Sequence, residues 1–219
     1  MRAKVKICGM RSPDDLSAAS GADALGAVVE VPRSPRNLAL AQAAELFARI
    51  PGGILKVAVT TAKNRGLIRR ILELEPDVLQ LHLELPPEGW EEVRAWVGRK
   101  AMIWGLLGMR EGEPEGVLLE RAQMLRGAPL DGVVLDTVVR GSSGGTGRTH
   151  DWRLSRVVRE ALHPHPVILA GGLTPENVGE AIRTVEPDWV DVSSGVEERG
   201  RKCPRKVRAF LEAVHGAIE

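Results

Sequence analysis

Short runs rich in Val, Ile and Leu recur along the chain, and between them lie longer segments whose apolar positions repeat at helical period. The runs are Lys4–Cys8, Ala24–Glu30, Ile54–Thr60, Val78–His82, Met102–Leu107, Gly132–Thr137, Pro166–Ala170 and Trp189–Ser193. Each is followed by a segment that predicts a helix: Pro13–Ser20, Leu38–Ile50, Arg65–Leu74, Glu88–Val97, Pro114–Leu125, Trp152–Leu162, Pro175–Val185 and Lys206–Val214. Ser12-Pro13-Asp14-Asp15 and Thr174-Pro175-Glu176 carry start signals, a hydroxyl able to accept from the first backbone N–H groups and a proline at the first helical position. Continuously apolar strands separated by helices imply a parallel sheet covered on its faces, because parallel neighbours need crossover connections.

Eight such units in 219 residues predict an α/β chain that forms one single-domain (β/α)8 TIM barrel over residues 1–219, near the short end for that architecture. An open doubly wound sheet is the rival fold, and it ordinarily uses fewer strands. The composition, 43% hydrophobic and 27% charged, is that of a globular chain with a sizeable core. A formal charge of +1 lacks the basic footprint of a nucleic-acid binder, so any anion site must be local. Two cysteines are too few for a disulfide framework, and the start of the chain lacks the apolar stretch of a signal peptide. With no apolar run near the ~18 residues of a membrane span, the expectation is a cytoplasmic protein that binds neither membrane nor nucleic acid.

In a barrel of this kind the chemistry lies at the carboxyl ends of the strands. Gly171-Gly172 ends the seventh run and Ser194-Gly195 follows the eighth, where many barrels hold a phosphate on backbone N–H groups. The loop Arg140–Thr149, which contains Gly145 and Gly147, is rich in glycine, hydroxyls and flanking arginines and suits a lid over an anion. It has neither the lysine of a P-loop nor the spacing of a dinucleotide fingerprint. Cys8 closes the first strand and Asp136 the sixth, so a barrel would bring a thiol and a carboxyl toward one cavity as base and acid. Lys6 shares the face of Cys8 by the period of two and would favour the thiolate. Read alone, a cysteine in a strand is more often a small buried hydrophobe. Arg36 offers a planar fork for a carboxylate, and His82 ends the fourth strand as a candidate substrate-binding group. His163-Pro164-His165 lacks a third ligand nearby and reads as non-metal. Trp90, Trp96 and Trp104 read as packing.

The segments Lys6-Ile-Cys-Gly-Met10, Ser34-Pro-Arg36, Gln80-Leu-His82, Val134-Leu-Asp-Thr137, Gly144-Gly-Thr-Gly-Arg-Thr-His-Asp-Trp152, Leu169–Val178 and Val190–Glu197, in that order over nearly the whole chain, resemble phosphoribosylanthranilate isomerase. The resemblance implies an Amadori rearrangement of a phosphoribosyl anthranilate in tryptophan biosynthesis. In it Asp136 protonates the furanose oxygen, Cys8 takes the proton from C2, Arg36 binds the anthranilate carboxylate and the last three loops hold the phosphate. It calls for no cofactor and no metal, and leaves monomer or homodimer open. Three positions depart from the family pattern. Leu83 stands in place of a glycine and is expected to crowd the fourth loop. Thr60-Thr61 makes the third strand's end more polar, and Cys203 replaces an aspartate that would cap the last helix. A barrel that binds a phosphosugar without turning it over, and a phosphosugar isomerase with another aglycone, are the alternatives.

Overall fold

The computed structural model describes residues 3–139, 142–143 and 149–217. Eight parallel strands form the barrel: β1 (Lys4–Cys8), β2 (Ala24–Val29), β3 (Leu55–Thr60), β4 (Val78–Leu81), β5 (Met102–Arg110), β6 (Gly132–Val139), β7 (Val167–Leu169) and β8 (Trp189–Val192). They pair in sequence order, and β1 pairs with both β2 and β8, so the sheet closes on itself. Eight helices surround it: α1 (Pro13–Ala18), α2 (Leu40–Phe47), α3 (Arg65–Leu72), α4 (Pro87–Val97), α5 (Glu115–Arg126), α6 (Trp152–Leu162), α7 (Val178–Val185) and α8 (Pro204–Gly216). The chain is therefore a (β/α)8 barrel, as the alternation of its apolar runs predicts, and no described helix is long and apolar enough to cross a membrane.

The expected cap at Ser12 forms, its Oγ accepting from the backbone N–H of Asp15 at 3.3 Å. The seventh helix starts later than expected. Thr174 Oγ1 does accept from Glu176 N–H, but a separate turn through Asn177 intervenes before regular helix begins at Val178. Strand β5 runs three residues beyond the predicted Leu107, because Gly108, Met109 and Arg110 keep pairing with Asp136, Thr137 and Val138. Cys203 is the N-cap of α8, and its side chain makes no capping hydrogen bond. That helix start is therefore without the usual side-chain acceptor, as the resemblance leads one to expect.

Two apolar layers follow from the alternation of strand side chains. Outward residues such as Ile7, Leu25, Ile103 and Val190 pack with the helices' buried faces. Inward residues fill the barrel floor, including Val57, Val78, Leu106, Ile168, Trp104 and Trp189. The two indoles meet edge to face with centroids 5.4 Å apart, and Lys4 Nζ lies 5.2 Å from the Trp189 ring centre. Trp90 is buried in the helix layer and Trp96 packs against it, so all three tryptophans singled out above serve packing. The floor is thus apolar, and polar inward residues are left for the strands' carboxyl ends.

Ile7 is fully buried and lies on the closing seam, paired in register with Val192. Ile7→Ala should cost about 2–5 kcal/mol in urea unfolding. Val117→Ala, on the exposed face of α5, should stay within about 0.5 kcal/mol.

Candidate active site

Above the floor, the carboxyl ends of the strands enclose a cavity of about 480 Å³. Cys8, Arg36, His82, Asp136, Gly171, Gly172, Ser194 and Gly195 all line it, together with Gln80, Asp191 and Thr61. Gly145 and Gly147, the remaining candidates from the sequence, lie outside the described residues.

Beneath the cavity sits a buried ion pair. Lys6 and Asp191 are register partners across the β1–β8 seam, and Lys6 Nζ donates to Asp191 Oδ2 at 2.6 Å. Lys6 is wholly inaccessible and Asp191 is 8% exposed. Their room comes from Gly26 on β2, where a Cβ would lie 3.0 Å from Lys6 Cε and 3.2 Å from Cys8 Sγ. The pair raises the Lys6 pKa although burial works against it. Cys8 feels Lys6 and Lys202, both favouring the thiolate, but burial is stronger and Asp191 opposes them, so its pKa is raised. Lys6 thus favours the thiolate as its place on the strand suggests, but the balance still leaves the Cys8 pKa raised. Low-dielectric surroundings penalise the anion more than one already-paired ammonium stabilises it.

Asp136 enters from the opposite wall. Burial raises its pKa, outweighing the opposing pull of His82 and a hydrogen bond from the Thr137 N–H, while Asp191 adds to the rise. His82 Nε2 stands 3.4 Å from Asp136 Oδ2. Leu83 does not crowd this arrangement, since its side chain turns outward and packs against the helix-layer core. Thr60 is buried with Oγ1 accepting from Ala62 N–H at 3.3 Å, and its carbonyl accepts from His82 N–H at 2.8 Å. Both threonines line the cavity, Thr60 with its hydroxyl already engaged by the turn to Ala62.

The wall formed by the second and eighth loops carries a second charged cluster. Arg36 donates from Nε and Nη2 to the two carboxylate oxygens of Glu197, each at 2.7 Å. Lys202 Nζ donates to Glu197 Oε1 at 2.8 Å and to the Ser193 carbonyl at 3.1 Å. Burial would raise the Glu197 pKa, but these two cations hold it at about 2. The Arg36 stem lies flat over Gly9, where a Cβ would come within 2.4 Å of Arg36 Cδ and where φ is +83°. On the other side the seventh and eighth loops touch, and a Cβ at Gly195 would fall 1.9 Å from the Leu173 carbonyl oxygen.

Sequence reasoning missed three residues here. Glu197 and Lys202 are invisible because a Glu and a Lys five positions apart signal nothing until a hairpin pairs them. The third is His150, whose Nδ1 lies 2.9 Å from Thr137 Oγ1 and whose Nε2 lies 2.7 Å from Ser155 Oγ. Burial lowers its pKa to about 4. A neutral ring thus joins the end of β6 to the start of α6, beside Asp136. Both cysteines are free, and Cys203 Sγ lies 3.7 Å from Glu198 Oε2.

A closed barrel with a buried acid, a thiol and a guanidinium around one mouth defines a (β/α)8-barrel enzyme equipped for proton transfer on an anionic small molecule. Residues 5–213 match the family model described as N-(5'phosphoribosyl)anthranilate (PRA) isomerase. The N-(5'-phosphoribosyl)anthranilate isomerase of Methanothrix thermoacetophila is 41% identical over 214 residues, covering 96% of this chain and 97% of that one. The crystal structure of the Thermotoga maritima phosphoribosyl anthranilate isomerase superposes with a TM-score of 0.82 at 31% identity, covering 98% and 99% of the two chains. Another structure, a phosphoribosyl anthranilate isomerase in complex with reduced 1-(o-carboxyphenylamino)-1-deoxyribulose 5-phosphate, matches with a TM-score of 0.77 at 29% identity, covering 98% and 99%. The chain belongs to the phosphoribosylanthranilate isomerase family, aldose–ketose isomerases of tryptophan biosynthesis.

Asp191→Ala should cost about 3–5 kcal/mol, because it strands a buried ammonium. The double variant Lys6→Met/Asp191→Ala should recover a large part of that loss. Chemical denaturation of the unsubstituted protein, Lys6→Met, Asp191→Ala and the double variant completes the double-mutant cycle.

Proposed function

We propose that this chain converts N-(5'-phosphoribosyl)anthranilate to 1-(2-carboxyphenylamino)-1-deoxyribulose 5-phosphate with Asp136 as general acid and Cys8 as general base. The observation that carries the reading is that Cys8, Asp136 and Arg36 share one cavity at the strands' carboxyl ends. Arg36 would take the anthranilate carboxylate, and the close-packed seventh and eighth loops, with Gly171, Gly172, Ser194 and Gly195, would take the phosphate. Gly145 and Gly147 are assigned to the same phosphate by resemblance. His82 would face the sugar beside Asp136. Support for the ligand comes from the relative solved with the reduced product analogue. The chemistry needs no cofactor.

The raised Asp136 pKa suits the first step, since a carboxyl that keeps its proton can give it to the furanose oxygen as the C1–O bond breaks. Ring opening leaves a cationic imine at C1. Its charge acidifies the C2–H bond, and Cys8 in its thiolate form takes that proton to give the enolamine, which tautomerises to the ketone. Because both pKa values are raised, the reacting fraction is the one with Asp136 protonated and Cys8 deprotonated. Lys6 and Lys202 favour the thiolate half of that fraction, from below and beside the sulfur.

Turnover can be followed by loss of the substrate's anthranilate-type fluorescence, with rescue of a tryptophan-requiring strain as the cellular check. Binding of the reduced analogue without turnover would instead make this a degenerate phosphosugar-binding barrel. Cys8→Ala and Asp136→Asn should each lower kcat by about 10²-fold or more. Their residual pH profiles should differ in sign. The unsubstituted protein should pass through a maximum in kcat/KM between the two raised pKa values. Asp136→Asn should only rise and level off with pH, as Cys8 deprotonates. Cys8→Ala should only fall, as Asp136 loses its proton. Identical bell-shaped profiles in both variants would reject the assignment.

A further inference from the structure

The segment that follows β8 has a construction that closing the barrel does not require. After the short 3-10 turn Ser194–Val196, two-residue strands Glu197–Glu198 and Arg201–Lys202 form an antiparallel hairpin. Its turn residues Arg199 and Gly200 have φ of +49° and +73°, the sign pattern of a tight primed turn. The register sets Glu197 directly opposite Lys202. Both are at least largely buried, an unusual site for a cross-strand charge pair.

The hairpin is also pinned from outside. The buried Asp15 of α1 accepts from Lys202 N–H at 3.2 Å and from Arg11 N–H at 2.9 Å. Arg11 in turn donates to the carbonyls of Pro35 and Gly200, tying the second loop to the hairpin tip. Everything in this frame converges on the contact between Glu197 and Arg36. Glu197 takes the Nε/Nη2 edge of the guanidinium. A guanidinium has a second edge, Nη1/Nη2, able to grip another carboxylate in the same plane. Arg36 lines the cavity.

We propose that Glu197 is a positioning residue for carboxylate recognition: clamped by Lys202 in the hairpin, it holds the Arg36 fork so that its second edge receives the aromatic carboxylate of the ligand. This inference rests on the assignment of Arg36 above. Lys202 serves by neutralising the added negative charge, so that the Arg36–Glu197–Lys202 cluster keeps a net positive charge for the incoming anion. Without Lys202, Glu197 would cancel Arg36 and repel the ligand.

The test measures dissociation constants for two probes, reduced 1-(o-carboxyphenylamino)-1-deoxyribulose 5-phosphate and its counterpart with a plain phenylamino group. Glu197→Gln keeps the shape and removes the charge. It should weaken the carboxylate-bearing probe by about 10-fold or more, the scale of a lost charged hydrogen bond, and change the phenylamino probe by less than about 2-fold. Lys202→Met should show a smaller loss of the same carboxylate-dependent kind. Equal losses on both probes would mean general damage to the loop and overturn the proposal. Tighter binding of the carboxylate probe would overturn it too, by showing that Glu197 competes for the seat. Arg36→Lys, run in parallel, separates the two readings. If it keeps the carboxylate preference, the assignment of Arg36 fails and the role of Glu197 with it. If it loses the preference while Glu197→Gln keeps it, the positioning role alone fails. Should Glu197→Gln not fold, Glu197→Asp carries the same measurement, since its shorter carboxylate retracts from the fork.

Discussion

The ion pair between Lys6 and Asp191 sits where the first and last strands meet, and closing the barrel is what creates it. Their side chains point inward from paired positions, so a sheet that stayed open at this seam would leave both charges without a partner in a nonpolar interior. Such a pair is weak evidence for stability, because two ions must first leave water. Its stronger consequence is electrostatic. It places one fixed cation and one fixed anion beneath the cavity, and neither has much access to solvent.

From that constraint the protonation pattern of the mouth follows. Asp191 disfavours further negative charge on both Cys8 and Asp136, while Lys6 favours it. Burial then decides, and it decides for the neutral form of each group. Both reacting groups are thereby biased toward their neutral forms, while the guanidinium cluster carries the charge at the rim. The recognition charge and the reacting groups are thereby separated in space. In the proposed reaction Arg36 would meet the anionic ligand, and charge would develop at the thiol and carboxyl as protons move.

The sequence made the scaffold legible because its strands are buried on both faces and its helices on one, two patterns that differ in period. Lys4–Cys8 and Trp152–Leu162 match their predicted bounds, since polar or turn-forming residues bracket them. Position at a strand's carboxyl end was enough to gather Cys8, His82 and Asp136, whose placement needs only the fold. What stayed hidden depends on pairs distant in sequence. Glu197 meets Arg36 across 161 residues, and His150 bridges β6 and α6 through hydroxyls that any loop contains. What raises the Cys8 pKa, burial first and Asp191 with it, is hidden for a related reason. A nearby lysine can be read from the period of two, but that this lysine already belongs to Asp191, 185 residues on, cannot.

Three of the departures from the family pattern can be weighed by where their side chains go. Leu83 replaces a glycine at the cavity's edge, yet it leaves the mouth and joins the helix-layer core, where a larger apolar group adds burial. Thr60 spends its hydroxyl on the local turn to Ala62. Cys203 gives up a capping acceptor, but the start of α8 keeps other support, since Cys203 N–H donates to the Val196 carbonyl and its own carbonyl accepts from Val207 N–H. Lys206 Nζ further ties that first turn to the Glu197 carbonyl at 2.9 Å. The start of α8 is therefore held by a backbone bond to Val196 and by the Lys206 side chain on the hairpin that carries Glu197. A helix whose first turn is fastened to the recognition hairpin needs its own cap less, and the hairpin gains a rigid base in return.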